Sequence, residues 1–345
     1  NSAAEIAAAK SALRGIQAEL AGQLDEYLAG EYSIDATDKK QAKRFQEWRE
    51  SHRPFHWFVD FYGVLRSGGF DVIIGNPPYV ELSDVRSQYS VKGSSLTSTG
   101  NLYSLCIERC RPLLHPSGRF GVITPISAIC TPRMLPLMRF LARNVSCLHA
   151  ANFAVRPGKL FTGVDMNLTI LLGHQPNGTQ PERQIFSTQY NRWQEPARRV
   201  LFETLSFAPA SFDEHISSMP KLGSTEATVI LSAIRAFPPL SSVLATSSTG
   251  DVVYYHSGGR YFRKCLREKL SNEYKELLLT RGSGNATICL LSSSLYYWYW
   301  IAVSDCYHVT KRDVHAMPLP ATMANDSSFD KLADRLLADL PHCYW

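Results

Sequence analysis

A chain of 345 residues is long for one domain and comfortable for two. With 45% hydrophobic and 19% charged residues it can bury a sizeable core, which excludes global disorder. A net charge of +5, from 36 Lys+Arg against 31 Asp+Glu, permits a polyanionic partner without demanding one.

Residues 1–30 are Ala-rich, and Ile6, Leu13, Ile16, Leu20, Leu24 and Leu28 recur at helical spacing, so an amphipathic helix is expected. A second helix, from Asp38 to Ser51, carries Lys39, Lys40, Lys43 and Arg44 as a solvated face. Pro54 breaks the pattern, and Phe55, Trp57, Phe58, Phe61 and Tyr62 form an aromatic cluster suited to packing on a sheet. Gly68-Gly69 marks a turn. Phe70 to Ile74 reads as a short buried strand that runs into Gly75-Asn76-Pro77-Pro78-Tyr79.

Ser83 to Thr99, rich in Ser, Thr and Gly, reads as a mobile loop. Asn101 is placed to cap a helix over 102–114, which His115-Pro116-Ser117-Gly118 stops. Strands are expected at 120–123, 146–152 and 166–172, with a helix over 134–144. The alternation from 70 to 175 argues for an α/β fold with largely parallel strands. Gln175-Pro176-Asn177-Gly178 is a turn, after which the rhythm fades, so a domain boundary is expected between 175 and 200. The most apolar stretch, Ile288 to Val303, is too short and interrupted to cross a bilayer and reads as a buried strand or helix. The eight cysteines form no CxxC pair and no zinc pattern. They are expected as core thiols of a reducing cytoplasm, with no metal site.

The tetrapeptide Asn76-Pro77-Pro78-Tyr79 carries chemistry. Two prolines stiffen the backbone and remove two N–H donors, leaving a surface rich in carbonyl acceptors. Asn76 adds a side-chain carbonyl and Tyr79 a flat aromatic face. Directly after a strand, the group falls at the carboxyl end of a sheet, where open α/β folds bind ligands. Such a site suits a planar group bearing an NH2, of which adenine N6 is one. Two acceptors would take both hydrogens and orient the amine for attack on a methyl donor. An adenine in a duplex would first be flipped out, at roughly a few kcal/mol, partly recovered by stacking.

Gly69 to Val80, GFDVIIGNPPYV, resembles the catalytic motif of gamma-class N6-adenine DNA methyltransferases, in the form seen in type IIG restriction–modification enzymes. Residues 55–65, Asn101 to Pro125, Leu160 to Val164, and 291–320 resemble segments that accompany that motif. The resemblance implies a partial Rossmann-like class I S-adenosylmethionine-dependent methyltransferase sheet, followed by a mixed α+β target recognition domain. It implies a helical lead-in over 1–52, a catalytic part over 53–190 and a DNA-binding part over 191–345. Asn76, Pro77, Pro78 and Tyr79 would be catalytic: the Asn76 side chain and the Pro77 carbonyl accept from N6, and Tyr79 stacks. Phe161 is the candidate for the opposite face of the base. The implied cofactor is S-adenosylmethionine and the partner double-stranded DNA in a prokaryotic cytoplasm.

The family's Gly-rich cofactor loop precedes the catalytic motif, and no such loop is found before Asn76. Ser257-Gly258-Gly259 and Gly282-Ser283-Gly284 come after it. The chain starts at Asn1, not Met, and an N-terminally truncated fragment is expected. For DNA contact the candidates are Arg260, Arg263, Lys264, Arg267, Lys311 and Arg312, interleaved with aromatics. His308 and His315 are expected to be structural or to touch DNA. Three rivals remain: methylation of a protein glutamine, whose carboxamide poses the same geometric problem; methylation of RNA adenine; and a DNA-binding specificity module without activity.

Overall fold

The computed structural model describes residues 2–88, 91, 93–174, 183–246, 249–258, 265–323 and 326–340. The chain divides into two compact units, one of residues 1–73 and 78–119, the other of 74–77 and 120–345.

The first unit opens with helix α1, Ala3–Gly30, whose start is closed by a reciprocal capping box between Ser2 and Glu5. Its alanines favour the helix, but the expected apolar stripe is largely unpacked: Ile6, Leu13, Ile16 and Leu20 are 44% to 64% exposed. The middle and last turns engage: Gln17 Nε2 donates to the Val59 carbonyl at 3.1 Å, and Ala29 meets Ile34 and Trp48 of α2, Ala42–His52. There the buried Asp25 carboxylate accepts from Arg49 Nε at 2.9 Å and His56 Nε2 at 2.7 Å, which compensates its loss of water. Two short helices come next, α3, Trp57–Asp60, and α4, Tyr62–Arg66. The aromatic cluster does pack on a strand: Phe61 and Trp57 meet Phe70 edge-on at 5.1 and 6.1 Å, the first residue of β1, Phe70–Gly75. Phe58 and Tyr62 stay outward.

The turn into β1 needs its glycine. Gly69 has φ +114°, and a Cβ there would lie 2.6 Å from the Leu113 carbonyl oxygen. Helix α5, Leu82–Val85, and α6, Leu102–Leu113, complete the unit, and Asn101 caps α6 as expected by accepting from Tyr103 N at 3.4 Å. The segment 83–99 is more built than a loop. Beyond α5 it carries a 3-10 turn at Thr97–Thr99, and Ser94 and Ser95 are tied to Glu108 of α6. Strand β2, Leu114–Pro125, starts six residues before its expected position.

In the second unit, α7, Leu135–Asn144, buries Leu137, Met138 and Leu141. Strands β3, Cys147–Phe153, and β4, Leu168–His174, pair antiparallel from Cys147 opposite His174 to Phe153 opposite Leu168. Two further strands join, β5, Gln184–Asn191, parallel to β3, and β6, Phe207–Ala210, antiparallel to β5. The sheet order is β1-β2-β4-β3-β5-β6. The α/β class read from the sequence is the class observed. The sheet, however, continues through 184–210, where the sequence pattern fades: β5 carries Gln, Ser and Thr beside its apolar residues, which weakens its periodicity.

Strand β1 stands at one end of that order, and this corrects its expected burial. Val72 is 57% and Ile74 78% exposed, and no strand pairs with the outer edge of β1 among the described residues.

The remainder of the unit contains α8, Thr225–Arg235, and a three-stranded sheet of β7, Asp251–His256, β8, Cys265–Leu266, and β9, Tyr274–Leu279. Helices α9, Gly284–Leu291, α10, Ser294–Val303, α11, Lys311–His315, and α12, Ser328–Asp339, close it. The apolar stretch 288–303 is thus two helices, bent by 66°, with Ile288, Tyr296, Tyr299 and Trp300 at 2% exposure or less. Among the described residues no single helix is long and apolar enough to cross a membrane. Buried Lys221 donates to the carbonyls of Ala302 at 3.1 Å and Ser304 at 2.6 Å, fixing the end of α10.

Replacing Gly69 by Ala should destabilise the protein by about 1–3 kcal/mol, through positive φ and contact with backbone. Gly75→Ala, where a Cβ meets nothing within 4 Å, should stay within about 0.5 kcal/mol of wild type. Urea midpoints at constant slope read both; equal midpoints for the two variants would contradict this account of the turn.

Candidate active site

Strand β1 ends at Gly75, and the next four residues are Asn76-Pro77-Pro78-Tyr79. Asn76 and Pro78 are exposed, and Pro77 and Tyr79 are half-buried. Neither proline has an N–H, so a sheet ladder cannot hold this segment by donation from it. Residues 80–82 are anchored instead. Leu102 N donates to the Val80 carbonyl at 2.9 Å and Leu82 N to the Gly100 carbonyl at 2.8 Å, an antiparallel bridge of Glu81 with Asn101. Asn101 Nδ2 donates to Glu81 Oε1 at 3.2 Å while its oxygen caps α6.

The Tyr79 ring stands edge-on to Tyr103, with centroids 6.4 Å apart and planes at 86°. Tyr103 is 1% exposed, so one edge of Tyr79 rests on a buried ring while its residue stays partly open to solvent. Burial pushes the Tyr79 phenol up to about 12, so the ring is neutral at ordinary pH. Farther along, burial pushes the Glu108 carboxyl up, but bonds from Ser94 and Ser95 pull it further down, and it stays ionised to hold the segment before α6.

The other predicted residues fall variously. Phe161 is half-buried in the segment between β3 and β4. Arg312 corrects its expectation as a DNA contact. Its guanidinium donates to Asp313 at 2.8 Å and to the carbonyls of Cys130 at 3.0 Å and Ile216 at 3.2 Å, so it is spent inside the fold. Arg267 is half-engaged, donating to Asn285 and Asp334 at 2.8 Å. Lys311 is exposed at the start of α11. Arg260, Arg263 and Lys264 lie outside the described residues. His308 is exposed, and burial lowers the His315 imidazole below its ordinary value, with Lys311 adding to the effect. Among the described residues no cluster of three His, Cys, Asp or Glu could hold a metal ion. Burial raises the thiols of Cys130 and Cys265, which are core residues.

The described residues do not form a cradle for S-adenosylmethionine. Before β1 they are helices and turns, with no strand running into a Gly-rich loop. The turn Gly282-Ser283-Gly284 has spent its amides: Gly282 N and Gly284 N donate to Asp251 Oδ2 at 2.9 and 2.8 Å. At Gly258 a Cβ would meet the Glu273 carboxylate at 2.5 Å, so that turn is closed by a side chain.

Sequence reading missed Glu81, Tyr103 and the second role of Asn101. The cap at Asn101 was legible, but the bridge to Glu81 spans twenty residues and leaves no local pattern. It also missed a basic cavity at the carboxyl ends of β3 and β5, because its cations are far apart in the chain.

Comparison with known proteins gives three kinds of match. Residues 1–156 match the family described as Eco57I restriction-modification methylase. A protein of Methanocaldococcus jannaschii described as a type II restriction enzyme and methyltransferase is 31% identical over 137 residues, 40% of this chain and 11% of that protein. A tRNA1(Val) (adenine(37)-N6)-methyltransferase of a Flavobacteriaceae bacterium is 28% identical over 155 residues, 43% of this chain and 63% of that protein. The chain thus spans less than two thirds of either relative. The structure of a nuclease-deletion mutant of the type ISP restriction-modification enzyme LlaGI, with a DNA substrate mimic, superposes with a TM-score of 0.37 and 15% identity. It covers 61% of this chain and 20% of that one, a likeness too low to carry an argument. The N-terminal 156 residues therefore match a restriction-modification methylase family, and stretches of 137 and 155 residues are similar to the two methyltransferases.

Proposed function

We propose that this chain supplies the amine-orienting and DNA-holding parts of a site-specific DNA methyltransferase that acts on adenine N6. The observation that carries the reading is Asn76-Pro77-Pro78-Tyr79 at the carboxyl end of β1, with Asn76 at the surface and Tyr79 braced by Tyr103. Asn76 through its side-chain oxygen and Pro77 through its carbonyl would accept the two N6 hydrogens. Tyr79 would stack on the flipped base, with Phe161 as the candidate for the opposite face. The functional division is a helical lead-in over 1–52, a catalytic part over 53–190 and a target recognition part over 191–345.

S-adenosylmethionine is the methyl source that the resemblance implies, and when bound it supplies an electrophilic methyl group. The described residues form no cradle for it, and we propose that residues 1–345 alone do not hold it tightly. Among the described residues no strand pairs with the outer edge of β1, where Val72 and Ile74 are exposed. Calorimetry should accordingly find no tight S-adenosylmethionine binding by residues 1–345 alone, and tight binding would contradict this division of labour.

The test of the reaction is methyl transfer by the complete protein onto duplex DNA, read by sequencing for modified adenine. Modified adenine at a defined site is expected. Modified glutamine in a protein substrate, or modified adenine in RNA alone, would overturn the DNA assignment.

If Tyr79 acts by stacking, Tyr79→Phe should keep transfer within about threefold, while Tyr79→Ala should lower it by roughly tenfold or more. Because burial raises the phenol, its neutral form is favoured, and that contribution is lost only as pH climbs toward 12. The pH profiles of wild type and Tyr79→Phe should therefore superpose from about pH 6 to about pH 10. An inflection present only in the wild type would assign the hydroxyl a proton-transfer role.

A further inference from the structure

In the second unit, strands β3 and β5 run parallel, and their carboxyl ends open onto a cavity of about 620 Å³. Val155, Arg156, Lys159, Tyr190, Arg192 and Cys306 line it. Three of these are cations, from two segments more than thirty residues apart. We infer that this cavity is a clamp for the phosphodiester backbone of duplex DNA, with Arg156 and Arg192 as its phosphate-binding side chains. The inference rests on the proposed DNA-methyltransferase reading, which it deepens by placing a backbone contact that the sequence did not show.

The cavity wall is built to hold its shape. Ala154 N donates to the Asn191 carbonyl at 2.9 Å and Gly158 N to the Trp193 carbonyl at 2.8 Å, tying the segment after β3 to the end of β5. Val155 N donates to Asn167 Oδ1 at 3.0 Å. Gly158 lies so close to Trp193 that a Cβ would come within 2.8 Å of the indole. Arg198 packs its guanidinium over the same indole, 5.5 Å from its centroid, and donates to the carbonyls of Lys159 and Leu160 at 2.8 Å each. The segment is thus fixed along both sides, and an anion entering meets side chains whose backbone is already positioned.

The charges are also arranged for an incoming anion. Lys159 is paired with Asp165. Asp305, next to Cys306, has its carboxyl raised by burial, which favours the neutral form. Arg156 is exposed and has no carboxylate partner among the described residues. Arg192 donates to the Tyr297 hydroxyl at 3.1 Å and lies over the Tyr190 ring at 5.7 Å, contacts that aim the guanidinium without neutralising it. Two exposed guanidiniums, that of Arg192 oriented by its ring contacts, on a fixed concave wall match phosphate oxygens better than scattered surface lysines do. Phe161 lies on the same segment, five residues beyond Arg156. A strand gripped here would have its backbone held beside the aromatic candidate for base stacking.

The experiment compares residues 1–345 with the double variant R156Q/R192Q on fluorescent duplexes of several sequences, from about 0.05 to about 0.3 M salt. Each lost phosphate contact should weaken binding by about tenfold and lower the salt slope by about one. The double variant should therefore lose about two from the slope, equally on every sequence, while R156K/R192K keeps most of the affinity. Unchanged affinity and slope would overturn the clamp and leave the methyltransferase reading standing. A loss confined to one sequence would make the arginines base readers and overturn the backbone assignment. A loss on an RNA hairpin but not on duplex DNA would also overturn it. Failure of the wild-type chain to bind any duplex would overturn both the clamp and the DNA-holding role proposed for this chain. Both arginines are exposed, so thermal melts of the variants should match wild type; if R156Q/R192Q fails to fold, R156K/R192K must still bind with the wild-type slope, and a reduced slope there would contradict the charge-based clamp.

Discussion

Two consecutive prolines carry no backbone N–H, and this constraint shapes the region around Asn76. The strand before it can end but cannot carry its ladder through Pro77 and Pro78. Order has to be supplied from beyond, by the Val80 and Leu82 bonds to the loop before α6 and by Asn101, which holds Glu81 with one end of its amide and caps the helix with the other. Through the same loop, Tyr103 reaches the core and gives Tyr79 a wall. On the other side, Gly69 lets the chain turn into β1 against the backbone of residues 113–115. The tetrapeptide is therefore positioned by its two flanks.

Much of this architecture was legible from local pattern. The helices at 3–30, 42–52, 102–113 and 135–144 and the strands near 70, 120, 147 and 168 follow from periodicity and from caps such as Asn101. The tetrapeptide stands out because its residue types are unusual in combination. What pattern could not show were relations across distance: that β5 returns to lie beside β3, that Lys221 is buried to serve the end of α10, or that Arg312 is consumed by carbonyls of residues 130 and 216. A positive charge in a sequence carries no mark of whether its partner is a phosphate or its own backbone. Arg312 and Arg192 look alike in one dimension and have opposite fates in three.

The exposure of Val72 and Ile74 teaches the same lesson about strands. An apolar run of that kind reads as buried on both faces, because that is the common way to satisfy it. Here the strand stands at one end of the sheet order, and Val72 and Ile74 are left exposed. The same holds for the outward stripe of α1.

The central claim is that Asn76 orients an amine for methyl transfer. It is tested most directly by Asn76→Ala in the complete, active protein, with methyl transfer and duplex binding measured on the same samples. Asn76 is exposed and a Cβ-only side chain fits its place, so the fold should be retained. The account predicts that transfer falls by about a hundredfold or more, the scale expected for losing a group that holds the reacting atoms in line, while duplex affinity stays within about threefold. Transfer at the wild-type rate would remove Asn76 from the chemistry and contradict the account.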